Sequence, residues 1–224
     1  CLRKLCTPFD VQRKLCSEQL PRWRKHHLAG HYMSGHVRGR SLSRNQALMN
    51  SRERIICRAL NRAVIPSGAL VHSACAVRNC YGTLFIAPSG GGKTTLLNRL
   101  VTEGGLTIVE DDETVLSRGT DGRTRCLPSH RIRLATGIDS AAFAYLKNFV
   151  FLEKGNPPSL KRVSPSYALY RSFRENSYIG FHLLTPVEKR QLTGFMYSVF
   201  AVFPCFVFSY SPPVNPMEYL REIL

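Results

Sequence analysis

The hydrophobic and polar positions first follow the period of a helix and then the shorter period of strands. Residues 43–65 place apolar side chains on one helical face until the sequence PSG ends the pattern. Two apolar runs follow, at residues 69–77 and 83–86, and the sequence RNCYG separates them. This pattern predicts a helix and then a β-hairpin whose turn takes its unusual backbone angles from Asn79 and Gly82.

The rest of the pattern predicts alternating helices and strands. The second hairpin strand runs into a glycine-rich loop, followed by a helix to about Val101, a strand at residues 106–110 and a hairpin closed by Asp121-Gly122. The later predicted elements are a strand at residues 148–152, a helix from Ser164-Pro165, a helix from Pro186, a strand at residues 205–209 and a terminal helix from about Asn215. The order predicts an α/β fold, a P-loop domain with a central mixed sheet flanked by helices.

The most apolar segment lies near the end of the chain. Residues 192–210 are long enough to span a membrane, but Pro204 divides them. Just upstream, Thr185 and Glu188 have the spacing of a capping box. We therefore predict a buried amphipathic helix from Pro186 to about Val202, followed by a strand, and no membrane span.

The charge of the chain is concentrated ahead of the glycine-rich loop. The formal charge is +16, and residues 1–60 contain 13 Lys and Arg against 3 acidic residues. Such a field attracts nucleic acid, an anionic membrane or an acidic partner without selecting among them. The 44% hydrophobic content is sufficient for a packed core. We predict a basic N-terminal arm or small subdomain at residues 1–42 and a globular domain at residues 43–224.

The cysteines point to free thiols rather than to a disulfide framework. Eight cysteines occur without paired C-x-x-C spacing, which predicts buried or free thiols and a cytoplasmic location. An N-terminal group could in principle bind zinc, but its irregular spacing favours the absence of a metal site. This group consists of Cys6, Cys16, His26, His27, His31 and His36.

The sequence IAPSGGGKTT, residues 86–95, resembles the phosphate-binding pattern G-x-x-x-x-G-K-[ST]. Backbone N–H groups that lack side chains around them can converge on an anion at a helix N-terminus. The predicted phosphate-binding residues are Ser89, Gly90, Gly91, Gly92, Lys93, Thr94 and Thr95, with Lys93 on the β and γ phosphates and Thr94 on Mg²⁺. Ala87 replaces the first glycine, at an expected strain of about 1–3 kcal/mol.

Two adjacent carboxylates follow the next strand. Asp111 lies 18 residues after Lys93, which leaves room for one helix, one turn and one strand. A right-handed crossover predicts that the acids end the adjoining parallel strand, at the same edge of the sheet as the loop. One carboxylate, Asp112, could hold metal, and Asp111 could take the proton of an attacking hydroxyl. The run Glu110 to Glu113 is read as a metal-binding region rather than a solvated strand end.

Three further residues are weaker candidates. His72 lies within the first hairpin strand, where the pairing of that strand could direct its imidazole at the phosphate pocket, although many such histidines are core residues. Arg131 and Arg133 alternate onto one face and could clamp a phosphoryl group, but we favour a role in the surface charge.

The segments ALVHSACAV, TLFIAPSGGGKTT and LTIVEDDETVL resemble the catalytic domain of HPr kinase/phosphorylase and its kinase-like relatives, including the SynChlorMet cassette group. The resemblance spans residues 67–116 and continues faintly to the end of the chain. It implies a fold similar to phosphoenolpyruvate carboxykinase, the use of ATP with Mg²⁺, and phosphorylation of a serine hydroxyl. By position it makes Asp111 the acid/base, Asp112 the supporting or metal-side carboxylate, and His72 the histidine of the strand. The later metal-binding glutamate of the family has no clear match here.

Three functions remain open from the sequence. The first is a phosphotransferase that uses ATP on a serine-type hydroxyl of a peptide, protein or small molecule. The second is a degenerate nucleotide-binding module that binds a peptide or protein partner through its basic surface. The third, a nucleic-acid-dependent ATPase, is disfavoured because no aromatic-basic strand pattern or guanine-reading motif is present. The oligomeric state is not determined by these patterns.

Overall fold

A computed structural model describes residues 51–129, 143–211 and 214–224, and the side chains of residues 51–54, 56 and 57 are not described. The predicted arm at residues 1–42 lies outside the described residues. The helices are α1 (Ser51–Val64), α2 (Lys93–Gly104), α3 (Pro165–Arg174), α4 (Pro186–Val202) and α5 (Met217–Leu220). The strands are β1 (Gly68–Arg78), β2 (Tyr81–Ile86), β3 (Thr107–Glu110), β4 (Glu113–Arg118), β5 (Thr124–Pro128), β6 (Ala144–Lys154), β7 (Ser159–Val163) and β8 (Cys205–Tyr210).

The strands form one mixed sheet that is mostly antiparallel. Strands β1, β2, β6, β5 and β4 form a closed ring of hydrogen-bonded neighbours, in which the β2–β6 pair is parallel. Strand β3 pairs with β1, and β8 and β7 extend the sheet from β6. The predicted α/β architecture with a mixed central sheet is confirmed, whereas β7 was not expected from the sequence.

The central strands are buried on both faces, which explains their continuous apolar runs. On one face, Phe149 and Phe151 of β6 belong to a core with Met196, Val199 and Phe200 of α4. On the other face, Val150 and Leu152 belong to a second core, whose helical members include Leu96, Leu97 and Leu100 of α2 and Met217 and Leu220 of α5. The alternation along β6 thus anchors helices on both sides of the sheet.

Helix α4 has the boundaries that the capping pattern predicted. The Thr185 backbone N–H donates to Glu188 at 2.8 Å, and the Glu188 N–H donates to the Thr185 hydroxyl at 3.3 Å. The strand after Pro204 begins at Cys205. Among the described residues, no helix combines the length and apolar character that crossing a membrane requires.

The β1–β2 turn differs from its prediction at one of two positions. Asn79 has a left-handed φ of 51°, as expected, but its partner in the turn is Cys80, with φ of 68°. Gly82 lies instead within β2, where an added Cβ would lie 2.9 Å from the sulfur of Cys75 and 3.0 Å from the Cβ of Ala144. The glycine is therefore required for close packing inside the ring of strands, a role that a local pattern does not reveal.

We predict that Phe200→Ala lowers the free energy of unfolding by about 3–5 kcal/mol, because truncation of a buried aromatic leaves a cavity. The Phe200 ring is 2% exposed and lies 4.7 Å from the ring of Phe149, centroid to centroid. Urea denaturation measures the loss. Tyr197→Ala, on the same helix at 47% exposure, is the matched control and should cost less than about 1 kcal/mol. Equal losses in the two variants would contradict the packing described above.

Candidate functional site

Strand β1 lies between the strand that leads into the glycine-rich loop and the strand that leads into the aspartates. Ser73 is opposite Ile86, the last residue of β2, and its N–H donates to the carbonyl of Asp112 at 3.0 Å. Because β2 and β3 are both antiparallel to β1, they run in the same direction and end on either side of Ser73. The prediction that the acids end an adjoining strand is wrong, since β1 intervenes, but the shared direction brings loop and acids to one place.

The glycine-rich loop connects β2 to the first residue of α2, Lys93. Gly90 and Gly92 have left-handed φ values of 76° and 90°, which favour glycine. Gly92 is the N-cap of α2, and no side chain caps this helix end. Backbone N–H groups at the start of α2 are thus available to an anion, in the field of the helix dipole.

Ala87 is accommodated without the strain expected for a missing glycine. Its φ is not among the positive values of the described residues, and its methyl group is buried in the second core. The methyl group of Ala87 requires a glycine at position 91, because a Cβ added to Gly91 would lie 2.7 Å from the Cβ of Ala87. The loop therefore holds an alanine at its first position because Gly91 leaves space for it.

The side chain of Lys93 is folded back into the loop. Its Nζ donates to the carbonyl of Ala87 at 2.7 Å and to that of Pro88 at 3.4 Å, and it lies 2.9 Å from Nε2 of His72. The residue is 7% exposed. Burial lowers the pKa of the Lys93 amine, and the carboxylates of Asp112 and Glu175 oppose that shift.

His72 links the lysine to an aspartate. Its Nδ1 lies 3.2 Å from Oδ1 of Asp112, on the side of the ring opposite Lys93. A neutral imidazole with its proton on Nδ1 satisfies both contacts, accepting from the Lys93 ammonium and donating to Asp112. Burial, followed by the charge of Lys93, lowers the pKa of His72, which favours this neutral form.

The predicted site residues surround one cavity of about 250 Å³. Its lining consists of His72, Ser89, Gly90, Gly91, Gly92, Lys93, Thr94, Thr95, Asp111 and Asp112. Ser89, Thr94 and Thr95 are exposed, whereas Lys93 is buried. The structure thus brings together every residue named from the motif and the aspartate pair, while their chemical roles remain predictions.

The four consecutive acids are not equivalent, contrary to their reading as one metal-binding run. Glu110 and Glu113 do not line the cavity. Glu110 is 6% exposed, its Oε1 accepts the Asp111 N–H at 3.0 Å, and burial raises its pKa to about 7. Glu113 opens β4 opposite His72 and accepts from the Ser129 hydroxyl at 3.4 Å. The strand ends at the buried Glu110, and the two aspartates that reach the cavity lie beyond it, in the bend between β3 and β4.

The segment after α3 also contacts the site, which sequence reasoning missed. The backbone N–H of His72 donates to the carbonyl of Ser177 at 2.7 Å, which fixes the backbone beside the imidazole. In α3, Arg171 binds Glu175 at 2.6 Å and Glu153 at 2.8 Å. The one sequence signal was the four-residue spacing of Arg171 and Glu175, which is too common on helix surfaces to indicate a site.

Arg131, Arg133 and the N-terminal cysteine and histidine group lie outside the described residues. Four cysteines are described, Cys75, Cys80, Cys126 and Cys205, and all four are free thiols. Cys75, Cys126 and Cys205 are buried, in agreement with the prediction of buried or free thiols.

Comparison with known proteins does not assign the chain to a family. No family model matches the chain, and no curated protein matches it. Among solved structures, the chain is similar to the Hpr(Ser) kinase/phosphatase from Coxiella burnetii, at 13% identity over 66% of this chain and 82% of that chain, with a TM-score of 0.40. A similarity at this level assigns neither a family nor an activity, so the functional conclusion depends on the site itself.

We predict that Glu110→Gln makes the protein progressively more stable than wild type as the pH rises from about 5 to about 8. Folding raises the pKa of the Glu110 carboxyl from 4.5 to about 7 through burial, so its contribution to stability is present at low pH and is lost as the pH rises through 7. Glutamine does not titrate, so the free energy of unfolding of Glu110→Gln should exceed that of wild type by about 1–3 kcal/mol at pH 8.

Urea denaturation at several pH values measures this difference. Glu103→Gln, on the surface of α2, removes the same charge at an exposed position and serves as the matched control. Parallel pH–stability curves for wild type and Glu110→Gln would contradict the burial of this carboxyl.

Proposed function

We propose that the protein is an ATP-dependent phosphotransferase that acts on a serine-type hydroxyl of a peptide, protein or small molecule. One observation carries the proposal: a single cavity joins uncapped N–H groups at the start of α2, a buried lysine and two aspartates. This combination provides an anion-binding surface and a base beside it. It is the minimum that phosphoryl transfer requires of a protein, since catalysis of that reaction rests on positioning and charge stabilisation.

The glycine-rich loop and Lys93 would bind the phosphates of the nucleotide. A cavity of about 250 Å³ lies just below the usual range of ligand sites, so it suits the phosphate chain, with the base and sugar outside it. Phosphate oxygens would replace the carbonyls of Ala87 and Pro88 as partners of Lys93. The ammonium would then move from neutral acceptors to a charged one, which strengthens its hydrogen bonds.

The donor set at the cavity suits Mg²⁺. Thr94 supplies a hydroxyl and Asp112 a carboxylate, both hard oxygen ligands. Within the described parts of the chain, no three His, Cys, Asp or Glu side chains are grouped to hold a metal on their own. Magnesium sites that borrow phosphate oxygens and water need only one or two carboxylates, so Thr94 and Asp112 would suffice. The bound ion would neutralise charge on the phosphates during transfer.

Asp111 is the proposed base. The acceptor hydroxyl oxygen attacks the γ phosphorus, the bond from that phosphorus to the bridging oxygen breaks, and ADP leaves, while Asp111 takes the hydroxyl proton. Nδ1 of His72 lies 3.2 Å from Oδ1 of Asp112, and this contact would keep Asp112 oriented while Asp111 accepts the proton. His72 in turn lies 2.9 Å from Lys93, so one imidazole positions groups on both sides of the cavity.

A second candidate is a nucleotide-binding module without turnover that binds a peptide or protein partner through its basic surface. The observation in its favour is that Lys93 already has three partners, in Ala87, Pro88 and His72. A nucleotide has to displace at least one of them. A site fixed in this arrangement would bind nucleotide without presenting the lysine to a reacting phosphate.

We predict that Lys93→Ala weakens MgATP binding by about 10–100-fold, because a charge-assisted hydrogen bond is worth about 1.5–3 kcal/mol.

Asp111→Ala should leave MgATP affinity within about threefold and lower phosphoryl transfer by a factor of about 100 or more, as expected for loss of a general base. Calorimetry measures the binding. Transfer of labelled γ-phosphate to serine-containing peptides, compared with the same peptides carrying alanine, measures the reaction.

Arg78→Ala is the matched control, since this exposed arginine ends β1 at the start of β2, away from the glycine-rich loop. Its binding and transfer should equal those of wild type. MgATP binding without transfer in the wild-type protein, unaffected by Asp111→Ala, would support the binding module instead. Absence of MgATP binding would overturn both candidates.

A further inference from the structure

A second and larger cavity, which we call the distal pocket, lies where β2 and β6 begin, at the opposite end of β2 from the glycine-rich loop. Its volume is about 670 Å³, within the range of ligand sites. The pocket lies among the first residues of β2 and β6, the β4–β5 hairpin and the end of α4. None of its lining residues also lines the first cavity. The two sites are therefore separate.

Two arginines of the distal pocket are held in place by neutral groups. The Arg118 guanidinium lies 5.7 Å from the ring centroid of Phe195 and donates to the Ser198 hydroxyl at 3.1 Å. The Arg123 guanidinium lies 5.2 Å from the ring centroid of Tyr145. Within the part of the chain that the structure describes, neither arginine has a carboxylate within 4 Å. Both cations are thus oriented at little further entropic cost, and neither forms an ion pair with a carboxylate of the described residues.

The acid of this region is already engaged. Asp121 accepts from the Arg125 guanidinium at 2.7 Å and from the Arg123 backbone N–H at 3.1 Å. The Arg123 N–H, followed by the charges of Arg125 and Arg123, lowers the pKa of the Asp121 carboxyl. The pair of Asp121 and Arg125 contributes no net charge, which leaves Arg118 and Arg123 as the positive groups facing the pocket.

The pocket also has an apolar side that solvent reaches. Tyr81 is 52% exposed and Val202 is 70% exposed, and both line the pocket beside Leu146 and Phe203. Tyr145, in contrast, is covered by the guanidiniums of Arg123 and Arg125, at 5.2 and 5.8 Å from its ring centroid. Single-stranded nucleic acid is bound by several open aromatic rings on which successive bases stack, and of the two tyrosines in this pocket only Tyr81 is open, which favours a ligand with anionic and aliphatic side chains over a run of bases.

We propose that the distal pocket is a docking site for an acidic peptide segment of a partner molecule. Carboxylates of the segment pair with Arg118 and Arg123, and its apolar side chains pack on Tyr81 and Val202. Charge complementarity selects this occupant, because the two arginines attract a segment rich in carboxylates, and residues 1–60 of the chain itself, with 13 basic residues against 3 acidic ones, lack that charge. The proposal does not depend on nucleotide binding or transfer at the first cavity.

The test measures binding of a fluorescent peptide of repeated Glu-Leu-Gly units to the full chain at physiological ionic strength, by fluorescence anisotropy. A peptide of Gln-Leu-Gly units reports the contribution of carboxylates. The double variant Arg118→Gln/Arg123→Gln should weaken binding of the acidic peptide by about tenfold or more, since it removes two charge-assisted contacts. Lys161→Gln/Arg162→Gln, at exposed positions of β7, removes the same charge and should weaken binding by less than about threefold.

Val202→Glu tests the same surface without disturbing the core, because Val202 is 70% exposed. A carboxylate at this position repels the acidic peptide and should also weaken its binding about tenfold. An unchanged circular dichroism spectrum and an unchanged midpoint of urea denaturation show that the fold is intact. The proposal is overturned if the two double variants weaken binding equally, or if the Gln peptide binds as well as the Glu peptide. It is also overturned if a single-stranded oligonucleotide displaces the peptide and itself depends on Arg118 and Arg123.

Discussion

The arrangement of the first cavity depends on the need to pair one buried ammonium. Lys93 is 7% exposed, and an ammonium taken out of water without partners costs several kcal/mol. The loop supplies two carbonyls and β1 supplies His72, whose other nitrogen faces Asp112. The glycine-rich loop, the middle strand and the acidic strand end are thereby joined by one chain of polar contacts. Two of the partners of the lysine are uncharged carbonyls, which an anion would have to displace to reach the ammonium.

Strand β1 is the frame on which both ends of the sheet are built. At Ser73 it is flanked by the end of β2 and by Asp112, which creates the first cavity. At Arg78 it pairs with Tyr81, where β2 begins and the distal pocket opens. Cores on both faces fix this strand arrangement, with Phe149 and Phe151 on one side and Val150 and Leu152 on the other. The two sites therefore occupy opposite ends of β2 on a rigid support, the arrangement that precise positioning of a site requires.

Local signals were reliable where the physics is local. The capping box at Thr185 and Glu188, the stop at Pro204 and the left-handed Asn79 each depend on a few neighbouring residues, and each occurs in the structure as expected. Gly82 was misassigned, because its role is set by Cys75 and Ala144 from other strands. Ala87 looked strained because the compensating space at Gly91 depends on how the loop folds. The position of β3 beyond β1, rather than beside β2, is likewise a matter of strand pairing that no window of sequence records.

The sequence by itself determined the mixed α/β character, the glycine-rich loop between a strand and a helix, and the spacing of 18 residues between Lys93 and Asp111. Those features follow from hydrophobic period, turn chemistry and chain length, which act over short distances. The tertiary structure alone decided that His72 bridges Lys93 and Asp112, that Glu110 is buried with a raised pKa while Asp111 reaches the cavity, and that Arg118 and Arg123 line one pocket. The reason is that hydrogen bonds, burial and charge act through space, between residues that strand pairing brings together from distant parts of the chain.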